Sequence, residues 1–353
     1  MSMYSKIEEY IRASLTDDGY AHAHLAGNGA IADLEGKLRS FYGAKHALCV
    51  DSATNGLMYL LMAAGLKRRE ILTTPLSYGG TIAGALALDC KLHFVDIDHN
   101  LCLSPEASRD VIRNNPQIQA VIAVDFAGNP HNIAALNKVC QEHGIWHFVD
   151  AAQSLGADYG IHDVSLFCDA MVVSFGSGKT VFSGGKGGAI VTNNTSLYEK
   201  LISICQHPHR QERDLGIGLS HEFALNGGIH PLAAILACDS FDDSLLTIRQ
   251  KQQRMNQAIG VLSSFNSVSS ICAQSGSTFY HCPFVMKDTR LFDEEFHDSE
   301  LTDGYYYGKA PFVLLPLQLK RSGLTKRIQS VACPHLEHIM DNLYVLHAKK
   351  LKP

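Results

Sequence analysis

The sequence predicts an α/β fold: a mostly parallel central sheet with helices on both faces, followed by a smaller C-terminal α+β domain. Between about residues 40 and 200, short apolar runs alternate with stretches of helical period, and Gly, Asn or Pro separates them. This alternation is typical of an open, mostly parallel sheet. Beyond about residue 235 it stops, and a length of 353 residues suits two domains better than one. We therefore expect a large domain over residues 1–235 and a small domain over residues 236–353.

The predicted elements follow one another in order along the chain. Apolar runs predict strands at residues 47–50, 70–73, 92–95, 120–124, 146–149, 170–174 and 189–191. Helical periodicity predicts an amphipathic helix at residues 1–15 and further helices at 56–64, 79–88, 104–114 and 131–143. In the small domain we expect a long polar helix at 244–262, a strand at 279–286, an acidic loop at 292–303, an apolar segment at 312–315 and a last helix near 335–346.

Composition and charge exclude several classes of protein. Hydrophobic residues make up 46% of the chain, which is enough for a core, and the net charge of −5 predicts no nucleic-acid partner. No apolar run approaches the roughly 20 residues of a membrane span, and the N-terminus does not resemble a signal peptide. The ten cysteines are scattered without a CxxC motif, which indicates free thiols in a reducing compartment. We expect a cytoplasmic protein with no membrane partner.

Residues suited to hold a cofactor come shortly after predicted strands. In open α/β sheets, ligands bind beyond the carboxyl ends of the strands. Pyridoxal phosphate (PLP) requires a lysine for a Schiff base, a carboxylate for its ring nitrogen and hydroxyl-bearing turns at helix starts for its phosphate. The chain offers such groups at Ser52, Ala53, Thr54, Asp150, Ser174 and Lys179.

Each of these residues has a distinct expected role. A carboxylate at Asp150 would keep the pyridine nitrogen of PLP protonated, so that the ring acts as an electron sink. The amine of Lys179 would form the Schiff base and later move protons. The phosphate would bind to hydroxyl groups and helix-start N–H groups, which are those of Ser52, Ala53 (through its backbone), Thr54 and Ser174.

Several blocks of sequence, in matching order and spacing, point to one family. They are residues 41–47 (Phe-Tyr-Gly-Ala-Lys-His-Ala), 52–54 (Ser-Ala-Thr), 94–98 (Phe-Val-Asp-Ile-Asp), 124–130 (Val-Asp-Phe-Ala-Gly-Asn-Pro) and 150–153 (Asp-Ala-Ala-Gln). The chain resembles the DegT/DnrJ/EryC1/StrS family of PLP-dependent sugar aminotransferases, which places its lysine five residues after a phosphate-binding serine. Ser174 and Lys179 stand at that spacing here. The resemblance covers about residues 31–237, continues weakly to the end and implies a fold-type I PLP enzyme.

The resemblance implies further site residues and a homodimer. It implies that Gln153 contacts the cofactor ring and that Tyr78 stacks on it. It also implies that Asn226 reaches the phosphate of the cofactor in the partner subunit, so that two subunits share each active site. Gly227 and Gly228 depart from the family, which often has an aromatic residue and an arginine there. The resemblance therefore does not indicate which residues bind the carboxylate of the amino donor or a nucleotide-sugar.

A second departure lies in the glycine-rich loop after the candidate lysine. The family usually has a glutamate in this loop, and the chain has Lys186. Lys186 is also the competing candidate for the Schiff base. The expected reaction is the transfer of an amino group from an amino acid, by resemblance L-glutamate, to a keto-sugar or to a ketone of secondary metabolism. The acceptor and its stereochemistry stay open.

Two alternatives to an aminotransferase stay open. One is a PLP-dependent lyase or dehydratase on the same fold; dehydratases of this family typically replace the lysine with histidine, so Lys179 argues against them. The other is a non-catalytic regulatory protein that keeps the fold. Residues 176–180 (Gly-Ser-Gly-Lys-Thr) resemble the end of a nucleotide-binding loop, but Val173 stands where that loop needs glycine. The short histidine spacings at 207–209 and 335–338 lack a third ligand nearby, so no metal site is predicted.

Overall fold

The structure, a computed structural model, describes residues 2–216 and 224–349. Its strands are β1 (His46–Val50), β2 (Glu70–Thr73), β3 (Lys91–Val95), β4 (Ile118–Val124), β5 (Trp146–Asp150), β6 (Ala170–Ser174), β7 (Gly188–Thr192), β8 (Val268–Ile271), β9 (Cys282–Met286), β10 (Tyr305–Lys309), β11 (Ile328–Ala332) and β12 (Leu343–Ala348). Its α-helices are α1 (Met3–Thr16), α2 (Asp18–Leu25), α3 (Ala30–Tyr42), α4 (Ala53–Ala63), α5 (Gly80–Ala87), α6 (Pro105–Asn114), α7 (Ile133–His143), α8 (Thr195–Cys205), α9 (Pro208–Leu215), α10 (Pro231–Leu262), α11 (Thr289–His297), α12 (Leu301–Gly304), α13 (Leu315–Arg321) and α14 (Pro334–Ile339).

The central sheet has eight strands in the order β1-β7-β6-β5-β4-β2-β3-β11. Every neighbouring pair from β6 to β11 is parallel, and β7 runs antiparallel to both β6 and β1. The seven strands predicted for the large domain are all present, with bounds that differ by at most two residues. The prediction of a mostly parallel α/β sheet is confirmed.

Helices cover both faces of this sheet. In β1, Leu48 and Val50 pack into a core with α4 and α8, whereas Ala47 and Cys49 pack on the opposite face with α3 and α10. Strands that are buried on both faces carry apolar residues at consecutive positions, which is why they read as short apolar runs in the sequence. The architecture brings the carboxyl ends of β4, β5 and β6 to one edge of the sheet, because these strands are parallel neighbours.

The C-terminal region forms a second, antiparallel sheet in the order β10-β12-β9-β8. Two expectations for this region were wrong. The acidic segment 292–303 is mostly helical rather than a loop: it contains the end of α11, a turn at 298–300 and the start of α12. In α11, Phe292 and Phe296 stand one turn apart and bury the same face. The helix predicted near 335–346 ends at Ile339, and β12 follows, in which Leu343 and Val345 alternate into the core beside β9.

The helix α10 links the two sheets and is longer than its polar sequence suggests. It begins at Pro231 rather than near residue 244, because Ala234, Ala237 and Phe241 bury one face of its first turns in the same core as α3. The predicted domain boundary between residues 235 and 236 falls inside this helix, and β11 returns to pair with β3 of the central sheet. The division into two domains stays a prediction. Within the described residues, no helix has the length and apolarity that crossing a membrane requires.

Candidate active site

A cavity of about 160 Å³ lies at the carboxyl ends of the central strands. It brings together eight of the nine site residues that the sequence predicted. The helix-start turn after β1, the end of β5 and the loop after β6 all face it, as expected for a parallel sheet. The predicted residues that line it are Ser52, Ala53, Thr54, Tyr78, Asp150, Gln153, Ser174 and Lys179.

Asp150 is the last residue of β5 and is only 6% exposed. Its carboxylate accepts a hydrogen bond of 2.6 Å from the Thr81 hydroxyl and one of 3.1 Å from the backbone N–H of Ala152. Burial raises the pKa of Asp150 above its usual value, and these two hydrogen bonds oppose that effect. A cationic partner such as a protonated ring nitrogen would offset the cost of burying this charge. The site of Asp150 therefore fits the role predicted for it.

Lys179 lies in the loop after β6, where its backbone N–H donates to the carbonyl of Gly176 at 3.1 Å. Its Nζ atom lies over the ring of Tyr280, 4.5 Å from the centroid. Burial lowers the pKa of Lys179, while the negative charge of Asp150 opposes this. A lowered pKa makes a larger fraction of the amine neutral, and a neutral amine is the form that adds to a carbonyl.

The start of α4 forms a cradle suited to a phosphate. The Ser52 hydroxyl caps the helix by accepting from the N–H of Asn55 at 3.2 Å, and Ala53 and Thr54 occupy the open first turn. A Cβ atom on Gly188 would lie 2.7 Å from the nitrogen of Ala53, so only glycine lets β7 approach this turn so closely. Backbone N–H groups at a helix start attract anions, which is the property that a phosphate dianion requires.

Ser174 and Gln153 complete the floor of the cavity. Ser174 ends β6, and its hydroxyl accepts from the N–H of Gly176 at 3.3 Å. The side-chain oxygen of Gln153 accepts from the N–H of Ala127 at 2.7 Å, which fixes the amide and leaves its NH₂ group as a donor. Gln153 is thus held rigidly at the position where the resemblance expects contact with a cofactor ring.

Tyr78 and Lys186 line the cavity, whereas Asn226 lies outside it. Tyr78 is 78% exposed and lines both this cavity and a second one next to it. Lys186 also lines the first cavity, so its position does not eliminate it as the competing lysine. Asn226 is exposed, has a left-handed backbone (φ 49°) and does not line the cavity in the same chain. A role for Asn226 toward this chain's own cavity is therefore not supported.

The second cavity, of about 500 Å³, contains residues that the sequence analysis missed. It shares Tyr78, Gln153 and Lys179 with the first cavity, and it adds Tyr280 and His281 from the segment before β9. Burial lowers the pKa of His281 to about 4, so its ring is neutral near pH 7. About a hundred residues separate Lys179 from Tyr280, and no local motif in the sequence signals that they meet.

Thr81 was also missed, although its position carried a local signal. It follows Tyr78 by three residues and lies in the first turn of α5, and both residues line the cavity. Its single hydroxyl hydrogen is donated to Asp150, as described above, so its oxygen accepts the hydrogen bond of 2.7 Å from the Ser77 hydroxyl. A hydroxyl next to a predicted ring-stacking residue could have been selected from this spacing.

Comparison with known proteins gives one family. The family model described as the DegT/DnrJ/EryC1/StrS aminotransferase family matches residues 12–349 of the chain. Among curated proteins, a UDP-4-amino-4,6-dideoxy-N-acetyl-beta-L-altrosamine transaminase of Campylobacter jejuni is 31% identical over 185 residues, which is 52% of this chain and 49% of that protein. The enzyme of the same name from Helicobacter pylori is 31% identical over 199 residues, 54% of this chain and 52% of that protein. The chain thus matches about half the length of these relatives.

Solved structures show the same fold at low sequence identity. Helicobacter pylori PseC, an aminotransferase involved in the biosynthesis of pseudoaminic acid, superposes with a TM-score of 0.73 at 21% identity, over 91% of this chain and 86% of that one. The E. coli GDP-4-keto-6-deoxy-D-mannose-3-dehydratase with bound hydrated PLP gives a TM-score of 0.74 at 17% identity, over 92% of this chain and 89% of that one. At these identities the likeness establishes the fold, and aminotransferases and a dehydratase share it.

Proposed function

The chain belongs to the DegT/DnrJ/EryC1/StrS aminotransferase family, and from this premise we propose that it is a PLP-dependent aminotransferase. The observation that carries the proposal is the convergence of Asp150, Lys179 and the start of α4 on one cavity. These groups supply a buried carboxylate, an amine of lowered pKa and an anion-binding helix start. Such a combination matches the ring nitrogen, aldehyde and phosphate of one cofactor.

The residues named above would hold the cofactor in a single orientation. When bound, PLP supplies an electron sink that stabilises negative charge on the carbon next to the amino group. Asp150 would face the ring nitrogen, and Gln153 would donate from its NH₂ group to an oxygen on the ring. The N–H groups of Ala53 and Thr54 would bind the phosphate. Tyr78 would cover the ring from the solvent side.

Lys179 would carry out the proton transfers of the reaction. Its amine is placed to take the α-proton of the amino donor, since it lies at the junction of the two cavities. It would pass this proton to the cofactor carbon that accepts the amino group, and in the second half of the cycle it would take a proton back from that carbon and return it to the carbonyl carbon of the acceptor. Burial favours this exchange because it brings the pKa of Lys179 closer to neutral pH.

The proposed donor is L-glutamate and the proposed acceptor is a keto-sugar, in biosynthesis. Support for a sugar comes from the curated relatives, which are named as transaminases of a UDP-linked amino sugar. The cavity of about 500 Å³ beside Lys179 provides the space for such an acceptor. A ketone of secondary metabolism would use the same cavity.

We also propose a homodimer in the cytoplasm. The position of Asn226 supports the dimer, because this residue is exposed and lies outside its own chain's cavity, where a second subunit could present it to the partner's cofactor. The ten cysteines, which are all unpaired in the structure, support a reducing compartment.

A dehydratase is the second candidate, because the E. coli dehydratase shares the fold. Lys179 favours transamination, since dehydratases of the family typically replace the lysine with histidine. A single experiment separates the candidates: PLP-loaded protein is mixed with L-glutamate alone, and the absorbance of the cofactor and the formation of 2-oxoglutarate are followed. A transaminase converts the yellow protein to its colourless pyridoxamine form and releases one 2-oxoglutarate per site. Retention of the yellow colour with glutamate and with a panel of other amino acids would reject the proposal.

A further inference from the structure

The side chain of Lys179, the candidate catalytic lysine, lies against the aromatic ring of Tyr280. The Nζ atom of Lys179 lies 4.5 Å from the centroid of the Tyr280 ring. Both residues line the cavity of about 500 Å³ and also a further cavity of about 490 Å³ that is bounded by α10. The Tyr280 ring and the Lys179 amine therefore line both cavities, and a substrate could enter either of them.

The backbone around Tyr280 is tied to the loops that carry the cofactor residues. The Thr278 hydroxyl donates to the carbonyl of Gln153 at 2.6 Å. On the other side of Tyr280, the N–H of His281 donates to the carbonyl of Ala127 at 3.0 Å. These two bonds tie the backbone on both sides of Tyr280 to the loops that carry Gln153 and Ala127, although Tyr280 comes from the segment between β8 and β9 of the small sheet.

The protonation state of Lys179 decides whether the Tyr280 ring attracts its amine. Burial disfavours the ammonium form of Lys179 and lowers its pKa, while Asp150 opposes this. His281 faces the same cavity, but burial lowers its pKa to about 4, so it adds no positive charge near pH 7. The negative face of an aromatic ring attracts an ammonium and not a neutral amine. The Tyr280 ring thus favours the protonated lysine.

We infer that Tyr280 is a positioning residue that receives the ammonium of Lys179 whenever this amine is protonated and detached from the cofactor. The lysine takes this proton from the α-carbon of the amino donor and passes it to the cofactor carbon that accepts the amino group; in the second half of the cycle it takes a proton back from that carbon and gives it to the acceptor carbon. After each uptake, and until the proton is passed on, the ring face of Tyr280 holds the charged amine beside the cavities of about 500 Å³ and about 490 Å³. The inference rests on the proposed function and adds a residue to it.

The first test needs no catalysis and uses the cofactor-free protein. Lysines are reductively methylated with ¹³C-formaldehyde, the signal of Lys179 is identified by its loss in Lys179→Arg, and its pKa is measured by NMR titration. In Tyr280→Leu we expect this pKa to fall by about half a unit to one and a half units, because the ring no longer stabilises the cation. Tyr280→Phe keeps the ring and should titrate like the native protein.

Tyr306→Leu is the matched control for the titration. Tyr306 is a tyrosine of the small sheet that stacks on His347 and is 53% exposed. Its loss should leave the pKa of Lys179 unchanged. An unchanged or raised pKa in Tyr280→Leu would overturn the inference.

The second test follows the reaction of the PLP-loaded protein with L-glutamate. In Tyr280→Leu we expect the rate to fall roughly threefold to thirtyfold, and the isotope effect with α-deuterated glutamate to increase, since proton transfer becomes slower. Tyr280→Phe should keep both values near those of the native protein. Loss of rate in Tyr280→Phe equal to that in Tyr280→Leu would show that the hydroxyl is the operative group, and would overturn the inference.

The two tests also separate this inference from the proposed function. If the native protein reacts with glutamate and Tyr280→Leu behaves like it, the proposed function stands and the role of Tyr280 is wrong. If the native protein does not react, the proposed function is wrong, and with it the proton-holding role of Tyr280.

Discussion

The cofactor side and the substrate side of the candidate active site are built in different ways. On the cofactor side, Ser52, Asp150 and Lys179 lie at the ends of parallel strands of one sheet, each beside its own short motif. On the substrate side, Tyr280 and Phe312 come from distant segments of the chain and meet only in the folded protein. Under the proposed function, the groups that would carry out the chemistry follow local sequence motifs, whereas the groups that would select the acceptor meet only through the tertiary structure.

The largest effect is expected from the removal of Lys179, the lysine of the cofactor side. We expect Lys179→Ala to lower turnover roughly 10⁴-fold or more, because both the covalent link and the proton-transfer group are lost. The quantity measured is the single-turnover rate at which 2-oxoglutarate is released from L-glutamate. Lys186→Ala, which removes the other lysine of the same cavity, should keep most of the activity. If Lys186→Ala is the inactive variant, the Schiff base has been assigned to the wrong lysine of the loop between β6 and β7.

A smaller effect is expected from the carboxylate of the cofactor side. Asp150→Asn keeps the shape of the side chain and can still accept from the Thr81 hydroxyl, but it removes the charge that would keep a ring nitrogen protonated. We expect the reaction with L-glutamate to slow roughly 10²- to 10³-fold while PLP still binds. Measurement of both quantities in the same variant checks the role of Asp150. An unchanged rate would remove this residue from the catalytic machinery.

The close approach of β7 to α4 predicts a weaker and purely structural effect. In Gly188→Ala the new Cβ would lie 2.7 Å from the nitrogen of Ala53, so the phosphate cradle must shift. We expect a lower affinity for PLP and a loss of about 1–3 kcal/mol in the free energy of unfolding, measured by denaturant titration. Gly260→Ala is the control, because Gly260 lies inside α10 with open space around it, and alanine there should stabilise the helix by about 0.5–1 kcal/mol.

The substrate side predicts the smallest effect, on the pH dependence of stability. Burial lowers the pKa of His281 from its usual value to about 4, so the folded protein resists protonation of this ring. Above about pH 6.5 the ring is neutral in both the folded and the unfolded chain, so its burial costs no stability. As the pH falls from about 6.5 toward 4, the unfolded chain binds a proton that the folded chain does not, and the free energy of unfolding falls. The same free energy should fall less steeply over this range in His281→Asn. A slope identical to that of the native protein would show that His281 titrates normally.

The two sides also explain how much the sequence alone could predict. Asp150 and Lys179 were found because a buried parallel strand is a recognisable apolar run, and the residues just after it face a ligand. Tyr280 and His281 were missed because their proximity to Lys179 depends on hydrogen bonds between segments that are far apart in sequence. The wrong prediction of a loop at residues 292–303 has a different origin. The acidic side chains indicated a loop, although Phe292 and Phe296 stand one helical turn apart.

The proposed function depends most on the covalent link between PLP and Lys179. The direct measurement is to load the native protein with PLP, reduce it with borohydride, digest it and locate the modified lysine by mass spectrometry. We expect one pyridoxyl group per chain, on Lys179, and none on Lys186. A modification on Lys186, or the absence of any reducible adduct in excess PLP, would contradict it.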